Sequence, residues 1–230
     1  WGAPGSVAVK SSEAETGNAE TFLATQLINL PTTRVLGSRT AEFRIMHRWA
    51  LINGGGGQTL STFFGLDGGA NTSINLSAAL ASNLDLLVRR AGTPHKDIEV
   101  AFKYVPVRQS SGMPVSLGVY TGFDWISRAD VTGTTNRFSP NLQLMISRRL
   151  NEKFSALVVP SLAFRSNHHA AIFKNSLPYK DTRETFAVGL GVQYQPLKNT
   201  AFNAEYLPRF HGYKGNNFSG DTRFNFWSVG

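Results

Sequence analysis

The sequence predicts an all-β fold, an antiparallel up-and-down transmembrane β-barrel with about ten visible strands. Three observations carry that expectation. Apolar and polar residues alternate over stretches of about 9–11 residues, the length a tilted strand needs to cross a bilayer. Charges keep to the polar phase, as a lipid-facing exterior demands, because Arg or Lys near the midplane costs about 2–4 kcal/mol. Long and short connections alternate, so successive strand ends lie on opposite sides of a single layer. A soluble barrel or sandwich would instead turn its apolar faces inward against each other.

The strands follow in order. Phe43, Ile45, Trp49 and Leu51 open the pattern, followed by Ile74, Leu76, Ala78 and Leu80, then Leu84, Leu86 and Val88. In residues 97–108, Ile98, Val100, Phe102, Tyr104 and Pro106 share one face, opposite Asp97, Glu99, Ala101 and Lys103. The same phase returns at Val115, Leu117, Val119, Phe123 and Trp125, at Leu142, Leu144 and Ile146, and at Phe154, Ala156, Val158, Leu162 and Phe164. Residues 184–195 set Phe186, Val188, Leu190, Val192 and Tyr194 against the small Ala187, Gly189 and Gly191 with Gln193. Phe202, Ala204, Tyr206 and Phe210, then Phe224 and Phe226, complete the series. Pro160 interrupts one strand and has to sit at a bulge or be bypassed by the ladder.

Connections 53–71, 127–137, 166–183 and 211–221 are long, whereas 82–83, 109–113, 151–152 and 196–199 are short; 92–96 falls on the long side. With a periplasmic N-terminus, every long loop falls outside the cell. Residues 1–20 are small and polar and read as a flexible leader, with residues 21–230 as the barrel domain. Thr21 to Leu30 fit either an additional strand or a segment tucked into the barrel mouth. The chain stops within an alternating segment at Trp227-Ser228-Val229-Gly230, and an open edge in lipid leaves backbone groups unsatisfied, so two further strands are expected, about twelve in all.

Composition agrees with the pattern. The 230 residues are 41% hydrophobic, yet no apolar run approaches the roughly 18 residues of a membrane helix. Mean hydropathy is -0.17, because polar lumen residues dilute the apolar ones. Cysteine is absent, which excludes a disulfide scaffold, cysteine-ligated zinc and covalently attached c-type haem. No signal peptide is visible, so export implies numbering that starts within or at a mature protein.

The polar phase supplies the candidate site residues. Glu42, Arg44, Arg48, Asp85, Arg89, Glu99, Lys103, Asp124, Arg149, Arg165, Glu205, Arg209 and Arg223 are expected to face the lumen as a charge network. In a narrow barrel, interleaved acids and bases cross-link into a polar plug. The net charge of +8 therefore does not indicate nucleic acid, since the basic residues form no exposed stripe.

One resemblance can be stated. Ile45-Met46-His47-Arg48-Trp49, then Phe63-Phe64-Gly65-Leu66-Asp67, then Phe102-Lys103-Tyr104 with Arg108-Gln109 and Met113-Pro114-Val115-Ser116 resemble an uncharacterised family of Gram-negative outer-membrane β-barrel proteins. That family carries an "HRF"-like first strand, an "FFGLD" loop and a "KY…RQ…P-S" strand pair. Trp49 stands where the family has Phe, and the likeness runs over roughly residues 20–165. It implies fold and a location in the bacterial outer membrane, and brings no activity with it.

Other features are weighed against blander roles. His47 falls in the apolar phase and marks a bulge or a contact with a partner or headgroup. His168-His169 lacks a third ligand nearby for metal. Glycines 54–57 lack the Lys-Ser/Thr pair of a phosphate loop. The sequence points to a structural or scaffold component in contact with the lipid bilayer and another envelope protein, without cofactor and without enzymatic activity. The alternatives are a narrow passive pore for small solutes and an outer-membrane lipid hydrolase, for which no nucleophile elbow is present.

Overall fold

The computed structural model describes residues 20–48, 71–92, 97–127, 137–164, 184–211 and 226–229. Their strands are β1 (Ala41–Arg48), β2 (Asn71–Ala81), β3 (Leu84–Ala91), β4 (Asp97–Val107), β5 (Ser116–Ile126), β6 (Phe138–Arg149), β7 (Phe154–Phe164), β8 (Glu184–Leu197), β9 (Thr200–Leu207), β10 (Arg209–His211) and β11 (Phe226–Val229). Each pairs antiparallel with its neighbour in sequence from β1 to β9, and β11 adds to β9. The result is an up-and-down path of ten strands, with β10 lying off it against β8. Among the described residues no pairing joins β1 to β11, so the sheet is not closed.

Two prolines shape the ladder. β10 prolongs β9 beyond Pro208, which lacks an N–H but accepts from Val188 N at 3.1 Å. Pro160 stays in continuous register with Val188 of β8, while the β6–β7 pairing lapses between Gln143↔Ser161 and Ile146↔Val158. The strand is therefore bypassed on one side, and no extra residue is inserted opposite β8.

Alternation decides the two faces. Phe43, Ile45, Leu76, Phe102, Leu144, Val192 and Phe202 stand exposed on the outer surface, with Phe43 at 65% and Val192 at 51%. Asn75, Asp85, Glu99, Lys103, Gln193 and Glu205 are buried on the other face. This arrangement inverts a soluble core and leaves an apolar exterior far larger than the patches of monomeric soluble proteins. Among the described residues no helix is long and apolar enough to cross a membrane.

The sheet curls around residues 20–36. Gln26 accepts from Arg44 of β1 at 3.2 Å, and Asn29 N–H donates to Glu205 of β9 at 2.9 Å. Three residues of chain span at most about 11 Å. In a flat sheet the eight spacings from β1 to β9 would exceed about 37 Å. The two ends of the sheet must therefore be wrapped toward one another, with residues 20–36 on the concave side. A turn with Thr40 N–H on Gly37 O (3.0 Å) and Arg39 at φ 60° leads that segment into β1.

Candidate functional site

Residues 20–36 are a folded insert in the concave space. Leu27 N–H donates to Leu30 O (2.9 Å) and Thr32 N–H to Thr25 O (3.1 Å), closing a small antiparallel loop around a Gln26–Pro31 bridge. Arg34 ties its stem, donating to Leu23 O (2.9 Å) and Phe22 O (3.2 Å) and pairing with Glu20 (2.6 Å). Of the two roles open to Thr21 to Leu30, the structure selects the tucked segment over the additional strand.

Ionic side chains of the wall hold this insert mainly by its backbone. Both oxygens of Glu205 accept from consecutive amides: Ile28 N–H, Asn29 N–H and Leu30 N–H all lie at 2.9 Å, with the Asn29 side-chain amide at 3.1 Å. A run of amides converging on one carboxylate is an anion nest, and charge makes each such bond stronger than a neutral one. Lys103 Nζ donates to Arg34 O (2.5 Å) and Thr25 O (3.3 Å), and pairs with Asp85 at 3.3 Å. Asp85 in turn accepts Leu36 N–H at 3.2 Å. Arg44 pairs with Glu42 at 2.6 Å, and both bond the Thr25 hydroxyl.

Neutral groups complete the attachment. Leu23 N–H donates to Gln193 Oε1 (2.9 Å), Thr33 and Ser147 hydroxyls meet at 2.5 Å, Thr21 and Ser116 hydroxyls at 3.3 Å, and Ser155 donates to Thr21 O. Contacts thus reach β1 and every strand from β3 to β9. An apolar seam runs with them: Phe22, Leu27, Leu30 and Val35 cluster with the inward Ala101, Val105, Leu157 and Val159. Gly189 and Gly191 of β8 make room there. A Cβ on Gly191 would stand 2.6 Å from Leu27 Cδ1, and one on Gly189 would collide with Leu30.

Toward the long-loop end the charges bind each other. Arg89 pairs with Glu99 at 2.6 Å and approaches Asp124 at 4.0 Å, while Tyr120 O–H donates to Glu99 at 2.7 Å. Between this group and the insert lies a polar cavity of ≈ 90 Å³, bordered by Glu42, Arg44, Asn75, Glu99, Lys103 and Tyr120.

Among the described residues the sequence-derived residues fall into several groups. Arg44 with Glu42, Lys103 with Asp85, and Arg89 with Glu99 and Asp124 are ion pairs; Glu205 serves the insert's amides. Arg149 belongs to the rim, where it donates to Asn151 O, Glu152 O and Glu20 O, because it ends β6 at a tight turn. Arg209 is exposed beyond the Pro208 break. Of Arg48 only the backbone is described, pairing with Asn71. Arg165, Arg223, Trp49, Phe64, Gly65, Leu66 and Asp67 lie outside the described residues, as do His168 and His169.

His47 sits in unbroken β1–β2 register, so there is no bulge; its exposed ring has Nδ1 3.1 Å from Thr72 Oγ1. Among the described residues no group of three His, Asp or Glu is placed to hold a metal ion. Leu27, Leu30, Leu157, Val159 and the paired glycines are functional contacts that ionic patterning misses. Their signal was the inward phase of β8, Ala187-Gly189-Gly191, which has too little side chain to fill its share of the lumen.

A family model described as "Membrane bound beta barrel domain (DUF5777)" matches residues 22–230. No curated protein and no solved structure matches the chain.

Proposed function

The chain belongs to this family of membrane-bound β-barrel domains, and on that premise we propose that it is an outer-membrane barrel sealed by its own residues 20–36, serving as a structural component of an envelope assembly. The observation that supports the reading is the insert itself, fixed to β3, β4 and β9 by Asp85, Lys103 and Glu205 and to β1 and β5–β8 by further hydrogen bonds. Beside it, among the described residues, lies a cavity of ≈ 90 Å³, room for a few waters. A sealed barrel has no transport to perform, so its use is what it anchors: another envelope protein, which should be recovered with it in mild detergent. On this reading the chain is not an enzyme.

Conductance in planar bilayers tests the seal. Purified wild-type protein should show no steady current. Glu205→Ala removes the acceptor for three amides, of which the buried Leu30 N–H costs about 1–3 kcal/mol when left unpaired, and should give intermittent openings. A steady ohmic conductance from the wild type would sink the reading.

A further inference from the structure

We propose that the short-turn rim is a cationic collar that binds the phosphates of lipid headgroups. Arg39, Arg108, Arg148, Lys153 and Lys198 are exposed at the ends of β1, β4, β6, β7 and β8. Arg148 continues the phase of Leu144 on the outward, lipid-side row of β6, whereas Arg39, Arg108 and Lys198 lie beyond the strand ends, the last two just past the register shifts of β4 and β8. None of the five forms an ion pair among the described residues, and the Arg108 side chain donates to Ser82 O at 2.6 Å. Against them the described short connections expose one carboxylate, Glu152; Glu20 is taken by Arg34. The outward row at the long-loop rim carries one charge of each sign among the described residues, Arg90 and Glu184.

Depth identifies the anion. Phe154 stacks on Tyr194 at 4.7 Å and Tyr194 pairs with Phe202, which makes an outward aromatic band across β7, β8 and β9 at this end. Such bands mark the level where hydrocarbon gives way to headgroups. Lys153 directly precedes Phe154, and Lys198 lies four residues past Tyr194, so the collar begins where the band ends. Leu150 and Leu197, exposed in the same turns at 60% and 67%, suit a half-apolar interface better than open water. Strands are about 4.8 Å apart, so cations on the first, fourth, sixth, seventh and eighth strands recur about every 5–15 Å, close enough for neighbouring lipids to engage several at once. At that depth the abundant anion is phosphate.

The inference does not rest on the sealed lumen. Its test uses the full chain in vesicles of phosphatidylcholine with phosphatidylglycerol, read by the relative association of spin-labelled forms of the two lipids. The wild type should prefer phosphatidylglycerol, with the preference falling as salt is raised. R39Q/R108Q/R148Q/K198Q should abolish it, each neutralised cation accounting for up to about fivefold, while R90Q on the opposite rim should leave it unchanged. If the quadruple variant does not fold, judged by heat-modifiability on gels, R148Q/K198Q should show a partial loss. No preference in the wild type, an undiminished preference in either rim variant, or an equal loss in R90Q overturns the proposal. So does abolition by added inorganic phosphate or polyglutamate, which would assign the collar to free phosphate or to an acidic polypeptide. Planar-bilayer conductance should be the same for wild type and collar variants, which separates this result from that of the seal.

Discussion

The two halves of the lumen hold similar ionic residues and use them differently. Near the short turns, Glu205, Asp85 and Lys103 spend their bonds on amides and carbonyls of residues 20–36. Near the long loops, Arg89, Glu99, Asp124 and Tyr120 bond one another. Backbone groups taken from water need partners, and a wall of charged side chains supplies them wherever a chain segment is buried. Where no segment intrudes, the same residue types have only each other. Charge pattern alone therefore does not distinguish a barrel filled by side chains from one filled by a peptide.

Substitutions can break or sharpen that contrast. The largest effect is expected for Lys103→Ala, which strips Asp85 of its cation and two carbonyls of their donor. Breaking a buried pair from one side costs about 3–5 kcal/mol. Urea titration of the folded gel band should show that loss, and limited proteolysis should now cut within residues 20–36. Arg89→Ala comes next, at about 2 kcal/mol, since Glu99 keeps the Tyr120 hydroxyl and Arg89 is partly exposed. Here the insert should stay as protected from protease as in the wild type; cleavage equal to that of Lys103→Ala would erase the distinction between the halves. Gly189→Val is the mildest, about 1–2 kcal/mol of overpacking against Leu30. It should loosen the insert while the strands keep their spectrum, and an unchanged cleavage rate would show that Leu30 has room to move.

The outer face was legible because its code is local. Phe43 with Ile45, or Leu190 with Val192, declare a strand and its exposed side within a few residues, since side chains two apart share a face. Turn lengths gave connectivity for the same reason: Ser82-Asn83 joins two strands that pair immediately, Ala81 with Leu84. The lumen was legible only as polar. Nothing near Glu205 in sequence says that it meets amides of Ile28, Asn29 and Leu30, more than 170 positions away. Arg149 shows the complementary limit, because alternation assigns a face but not a depth, and at the end of β6 it bonds the carbonyls of a tight turn.

By itself, then, the sequence determined an alternating, membrane-facing sheet, its strand order and which phase carries charge, because each is written in spacings of two residues and in short turns. Only the tertiary structure decided that residues 20–36 enter the lumen, that Gly189 and Gly191 seat two leucines, and that three ionic residues hold a backbone. Those contacts join residues far apart in the chain, and their energy exists only once the sheet has curled enough to bring opposite walls within bonding distance of one short peptide.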